Sequence, residues 1–169
     1  PQNITLTVEA GVTVMVRENR LIKVEGDLIA RGTQQDSIFF QNESGTWYGL
    51  SLNNVHTITD DGYNYLSGTY LSHVSIKNTF YAVTLENNYQ SSYGLYMYYT
   101  NNNLLRANKF TDCDFAIYSA SNFSSSYNRF LNNKIINSKH VGIFFNNSSG
   151  QSLYNAFLGN EISGNFIGI

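Results

Sequence analysis

Apolar and polar residues alternate along most of this chain, in short bursts. Ile4, Leu6 and Val8, then Val12, Val14 and Val16, take every second position on either side of Ala10-Gly11. Such alternation sends one set of side chains to one face of an extended strand. Ala10-Gly11 is a turn signal between two such runs. Leu21-Ile22-Lys23-Val24, Gly26-Asp27-Leu28-Ile29-Ala30 and Ser37-Ile38-Phe39-Phe40 continue the pattern. Turns are expected at Arg31-Gly32-Thr33 and Gln41-Asn42-Glu43-Ser44-Gly45. No amphipathic helical spacing is found, so the pattern predicts many short strands joined by tight turns.

One phrase is written twice. Tyr127-Asn128-Arg129-Phe130-Leu131-Asn132-Asn133-Lys134-Ile135 returns as Tyr154-Asn155-Ala156-Phe157-Leu158-Gly159-Asn160-Glu161-Ile162, a step of 27 residues (154 − 127). A fixed period of this size means stacked units, each too small to bury its own apolar face. Further rows align with the repeat. Gly49-Leu50-Ser51-Leu52, Ala82-Val83-Thr84-Leu85, Ala116-Ile117-Tyr118-Ser119, Gly142-Ile143-Phe144-Phe145 and Gly168-Ile169 each put a small residue before an aliphatic one. The small residue suits a close approach of backbones, and the aliphatic residue suits a stacked interior column. A second column runs through Ile76, Phe110, Ile136 (or Ile135) and Ile162.

Rows this short leave no room for strand–helix–strand units. They fit coils of three short strands, each coil pairing in parallel with its neighbours at about 4.8 Å, so that about six to seven coils make a rod roughly 30 Å long. Asn128 with Asn155, and Asn133 with Asn160, fall in register. Asn tolerates the left-handed backbone of a turn, and stacked amides bond along the rod. Two rows run long. One excess covers Asn53 to Ser67; the other covers Met97 to Ala107, if Tyr93-Gly94-Leu95-Tyr96 is set against Tyr127-Asn128-Arg129-Phe130. In solenoids such insertions project as loops and often carry the binding function.

Composition narrows the function classes. The 169 residues carry 13% charged side chains and a net charge of −2, which argues against the basic face of a nucleic-acid binder. The 23 Asn residues and the single Pro fit strands and turns rather than helices. Cys113 stands alone, which excludes an internal disulfide and reads as a half-buried thiol. No apolar run is long enough to span a membrane. Residues 1–169 read as one domain. Ile169 falls in mid-strand within the repeat, so the expectation is a piece of a longer solenoid. Further coils or a partner subunit would cover its open edge.

The aligned rows resemble the right-handed parallel β-helix of the pectate-lyase-like superfamily. Leu6-Thr7-Val8-Glu9-Ala10-Gly11-Val12-Thr13-Val14, Val24-Glu25-Gly26-Asp27-Leu28-Ile29-Ala30-Arg31-Gly32-Thr33, Ser37-Ile38-Phe39-Phe40 and Trp47-Tyr48-Gly49-Leu50 look like the opening coils of such proteins. The Asn-x-Phe and Asn-x-Ile phrases at Asn128, Asn133, Asn155 and Asn160 look like their generic repeat. The resemblance covers nearly the whole chain and implies an all-β, right-handed, single-stranded solenoid. It does not imply one activity, because the superfamily holds lyases, hydrolases, epimerases, adhesins and cell-contact proteins.

Function is then argued from side chains. The resemblance implies, for a lyase, a Lys or Arg base with calcium-binding acids, and for a hydrolase, clustered Asp residues. Asp112 and Asp114 flank Cys113 and would share one face of an extended strand. Ser138 and Asn78 stand opposite Asp112 in the neighbouring rows. Asp60 and Asp61 precede Gly62 in the first long loop, beside His56. Those four acids are the catalytic candidates, with calcium as the cofactor they would imply. His73 and His140 read as satisfied surface or turn residues. Tyr96 and Tyr98 should face outward opposite Leu95, Met97 and Tyr99. With Tyr99, Tyr63 and Tyr65 they are the ligand-binding candidates, a platform for sugar rings or a protein partner. No cofactor is expected of such a platform. The first reading is therefore a non-enzymatic extracellular or cell-surface module; a carbohydrate-active enzyme is the alternative.

Overall fold

The computed structural model describes residues 4–53, 57–59, 64–79, 93–98, 103–121, 127–147 and 154–169. The alternating runs are strands: β1 (Thr5–Val8), β2 (Thr13–Val16) and β3 (Leu21–Val24), then β4 (Asp27–Arg31), β5 (Ile38–Asn42) and β6 (Gly49–Asn53). The excess at Asn53 to Ser67 holds two strands of its own, β7 (Thr57–Thr59) and β8 (Tyr65–Gly68). Coils continue with β9 (Tyr70–Ser72), β10 (Val74–Lys77) and β11 (Tyr93–Tyr98), then β12 (Leu104–Arg106), β13 (Lys109–Thr111) and β14 (Phe115–Ser121). The repeated phrase supplies β15 (Arg129–Leu131), β16 (Lys134–Ile136) and β17 (Val141–Asn147), then β18 (Ala156–Leu158) and β19 (Glu161–Ser163).

Three parallel sheets stack these strands. Sheet A runs β1-β4-β9-β12-β15-β18, sheet B runs β2-β5-β10-β13-β16-β19, and sheet C runs β3-β6-β11-β14-β17. The pair β7–β8 is antiparallel. Each strand of the three parallel sheets reaches its partner one coil away, so the chain is a solenoid in which coils close against their neighbours.

Apolar columns fill the inside. Sheet A contributes Val8, Ala30, Leu71, Leu105, Phe130 and Phe157 in direct register. Sheet B contributes Val14, Phe40, Ile76, Phe110, Ile135 and Ile162, which settles the choice between Ile135 and Ile136. Sheet C contributes Ile22, Leu50, Leu95, Ile117 and Ile143. Ile76, Leu50, Leu95, Ile117 and Ile143 are completely buried. Each such side chain adds about 1.5–3 kcal/mol of burial.

The register moves one expected row. Gly94-Leu95 stands between Gly49-Leu50 and Ala116-Ile117, where Ala82-Val83 was expected. Both phrases offer a small residue before an aliphatic one, so alternation alone cannot rank them; the hydrogen-bonded stack does. Leu104-Leu105 in turn pairs with Arg129-Phe130, the partners expected for Leu95-Tyr96, and Tyr93–Tyr96 belongs to sheet C. The long interval in this coil therefore falls between β10 and β11, and Ala82-Val83-Thr84-Leu85 lies outside the described residues.

Corners follow one rule. A residue with left-handed backbone turns the chain, and the next residue points inward and bonds along the stack. His73, Ala107, Asn132 and Gly159 turn sheet A into sheet B with φ between 52° and 65°. The residues after three of them form a ladder: Asn108 N–H donates to Asn133 Oδ1 at 2.9 Å, and Asn133 N–H to Asn160 Oδ1 at 2.9 Å. A second ladder joins Asn103, Asn128 and Asn155; the Oδ1 atoms of Asn128 and Asn155 accept from the coil before. These amides satisfy backbone donors that a corner would otherwise bury without partners.

Candidate functional site

The third corner, between sheets B and C, is where the coils depart from one another. Asn78, Asp112, Asn137 and Gly164 turn it with φ of 55° to 65°. Asp112 is thus stacked under Asn137, one place earlier than the Ser138 expected. The inward position after the turn holds Thr79, Cys113, Ser138 and Asn165, all along one column. Cys113 is fully buried, and loss of water pushes its thiol up to about 11 against an ordinary 9.0. Contacts with Thr79 and Thr111 oppose that shift without reversing it.

From Asp112 to the start of β14 at Phe115 is three residues; from Asn137 to the start of β17 at Val141 is four. The extra residue lifts Lys139 and His140 outward, and both are exposed. Their N–H groups still donate to Cys113 and Asp114 carbonyls at 2.9 and 3.0 Å. His140 then lies over Asp114, and its Nδ1 bonds Asp114 Oδ1. Asp114 is buried while Asp112 is exposed, so the two acids do not share one face of a strand. His140 is a turn residue, as expected, but with a carboxylate beneath it. Asp114 to His140 is 26 residues, the same step as Ala116 to Gly142, but the step does not say where either side chain points.

Beside this pair, the outward positions of sheet C carry rings. Tyr96, Tyr118 and Phe144 are in register on β11, β14 and β17. Tyr96–Tyr118 and Tyr118–Phe144 centroids are 5.7 and 5.3 Å apart. Phe115 packs edge-on against Tyr118 at 5.6 Å and lies parallel to the His140 imidazole at 5.5 Å. Asn146 Nδ2 donates to Tyr118 Oη at 2.7 Å. Leu95 and Met97 are completely buried, so the expected alternation of β11 holds. Phe115, Tyr118 and Phe144 were not singled out from sequence, although the rows that send Ile117 and Ile143 inward already send Tyr118 and Phe144 outward.

The other candidates lie apart from this strip or outside the described residues. Tyr65, on β8, stacks on Tyr70 at 4.7 Å, with the Arg31 guanidinium 5.7 and 5.6 Å from the two rings. Its hydroxyl donates to the Gly68 carbonyl at 2.9 Å. Burial, and then the Asp27 carboxylate, hold that phenol above its ordinary value, against the pull of Arg31. Tyr65 therefore packs on the outer side of sheet A, on a different face from Tyr96. Tyr98 ends β11, with its side chain outside the described atoms. Asp60, Asp61, Tyr63 and Tyr99 lie outside the described residues. Among the described residues no three His, Cys, Asp or Glu side chains converge on a point that could hold a metal ion. Among those residues, too, no helix is long and apolar enough to cross a membrane.

A family model for the right-handed β-helix region matches residues 5–169. No curated protein matches the chain, and no solved structure does. The match spans nearly the whole length and agrees with the three stacked parallel sheets. The chain belongs to the right-handed β-helix family.

Proposed function

We propose that the chain is a non-enzymatic binding module displayed outside the cell or at its surface, and that its ligand lies on the outward face of sheet C. One observation carries this reading: Tyr96, Tyr118 and Phe144 form a continuous strip of rings on a rigid sheet. Phe144 keeps 39% of its surface in water, where a polar residue would serve the fold equally well. Aromatic rings held by a sheet offer large contact area at little entropic cost, for a glycan or a protein partner. Screening a glycan array and a set of cell-surface proteins tests the reading. Tyr118→Ala should abolish whatever retention the native chain shows, while its thermal transition stays in place. Retention that is indifferent to Tyr96→Ala, Tyr118→Ala and Phe144→Ala alike sinks it.

A second reading, a carbohydrate-active enzyme, is favoured by the imidazole–carboxylate pair at the strip's edge, which has the form of an oriented acid–base group. Its test is turnover. Release of new reducing ends from any polysaccharide by the native chain, lost in His140→Ala, would replace the first reading by this one.

A further inference from the structure

The strip by itself suits a sugar or a protein, and the pair at its margin adds a polar group to it. The Asp114 side chain is 7% exposed, that of His140 58%. A carboxylate so far from water needs hydrogen bonds, and among the described residues the side chain of Asp114 has one, to His140 Nδ1. With Nδ1 turned to Asp114, Nε2 is the ring nitrogen left for a ligand, and in the neutral imidazole it accepts. Among the described residues Nε2 has no partner. Phe115, lying parallel under the imidazole, also packs against Phe144 with ring centroids 6.3 Å apart, so the imidazole stands at the border of the aromatic strip.

We infer that His140 and Asp114 form the polar anchor of a subsite for a neutral, hydroxyl-rich sugar ring. The inference rests on reading the strip as the ligand surface. The C–H face of a pyranose lies on Tyr118 and Phe144, and a hydroxyl at the ring's edge donates to His140 Nε2. A flat apolar face with hydroxyls radiating from its rim matches a flat aromatic surface with a fixed acceptor beside it. A carboxylate ligand matches less well. It has no proton to give Nε2, and Asp114 behind the ring repels it. Lys139 is exposed at the same corner. Asp114 and His140 also tie adjacent coils.

Titration calorimetry on the whole 169-residue chain separates these roles. The probes are hexamers of glucose and of mannose, against a hexamer of galacturonate. A neutral hexamer should bind more tightly than the uronate. His140→Ala should weaken that binding about 5- to 10-fold, the worth of one hydrogen bond. His140→Gln, whose amide oxygen still accepts, should recover part of the loss. Asp114→Asn should fall with His140→Ala; His140 is exposed, so its variants keep the test open should Asp114→Asn fail to fold. Unchanged affinity in His140→Ala, with binding lost in Tyr118→Ala, overturns the anchor and leaves the strip standing. Preference for the uronate, or no hexamer bound at all, overturns the sugar class; a protein ligand lost in Tyr118→Ala would then keep the strip alone. Indifference to every variant removes both.

Discussion

Cys113 and Asp114 are neighbours in sequence, and the corner treats them in opposite ways. The thiol points inward in a column that elsewhere holds Thr79, Ser138 and Asn165; the carboxylate turns toward His140. Burial that raises the thiol makes it inert, since only thiolate reacts. Iodoacetamide should leave Cys113 unlabelled in the native chain and label it fully in denaturant, read by mass. The same shift links stability to pH. A thiol whose folded value lies above its unfolded one favours the fold fully below about pH 9 and loses that contribution as pH rises to about 11, roughly 3 kcal/mol in all. Denaturant titrations of the native chain and Cys113→Ser should diverge over that window, the variant losing less. Asn133 tests the ladder. Its Nδ2 donates to the Leu105 carbonyl at 3.0 Å while its Oδ1 accepts from Asn108. Asn133→Ala leaves buried groups without partners and should cost roughly 2–4 kcal/mol, measured by chemical denaturation.

At the scale of a strand, a small residue fits where a coil crosses close beneath the next. A Cβ on Gly94 would lie 2.6 Å from the Ala116 carbonyl oxygen and 3.0 Å from Cys113 Sγ. Gly142 meets the Gly168 carbonyl oxygen in the same way, also at 2.6 Å. Gly94→Ala should therefore push β11 off its register and cost about 1–3 kcal/mol, seen as a lower thermal midpoint. The small-residue column was legible in the sequence for this reason. Its occupant in the β11 coil was not, because Ala82-Val83 and Gly94-Leu95 satisfy the same pattern. The candidate site was partly legible for a related reason. Parity gave Tyr96 its outward face, but the rings of β14 and β17 gained a place beside it only once register was known. His140 came over Asp114 because one added residue bulges a corner, and a bulge has no signature in alternation.

Across the whole molecule, each coil is stabilised by the coils on either side, so position in the stack sets the cost of a lost side chain. Ile117 is fully buried between Leu95 and Ile143, whereas Ile162 is half-buried at the outer strand of sheet B. Ile117→Ala should cost about 2–5 kcal/mol and Ile162→Ala about 1 kcal/mol, compared by urea unfolding of the two variants. Equal costs would mean that burial in the stack does not govern stability here.

The amino-acid sequence by itself determined the architecture. Alternation, a 27-residue period and paired Asn residues demand short strands, coils and ladders, because these are local or nearest-neighbour properties. Only the tertiary structure decided which phrase fills the β11 row, that Asp112 and Asp114 part company, and that His140 joins Asp114 beside a strip of rings. Those outcomes depend on hydrogen-bonded register between coils, and register is a property of the stack rather than of any one segment.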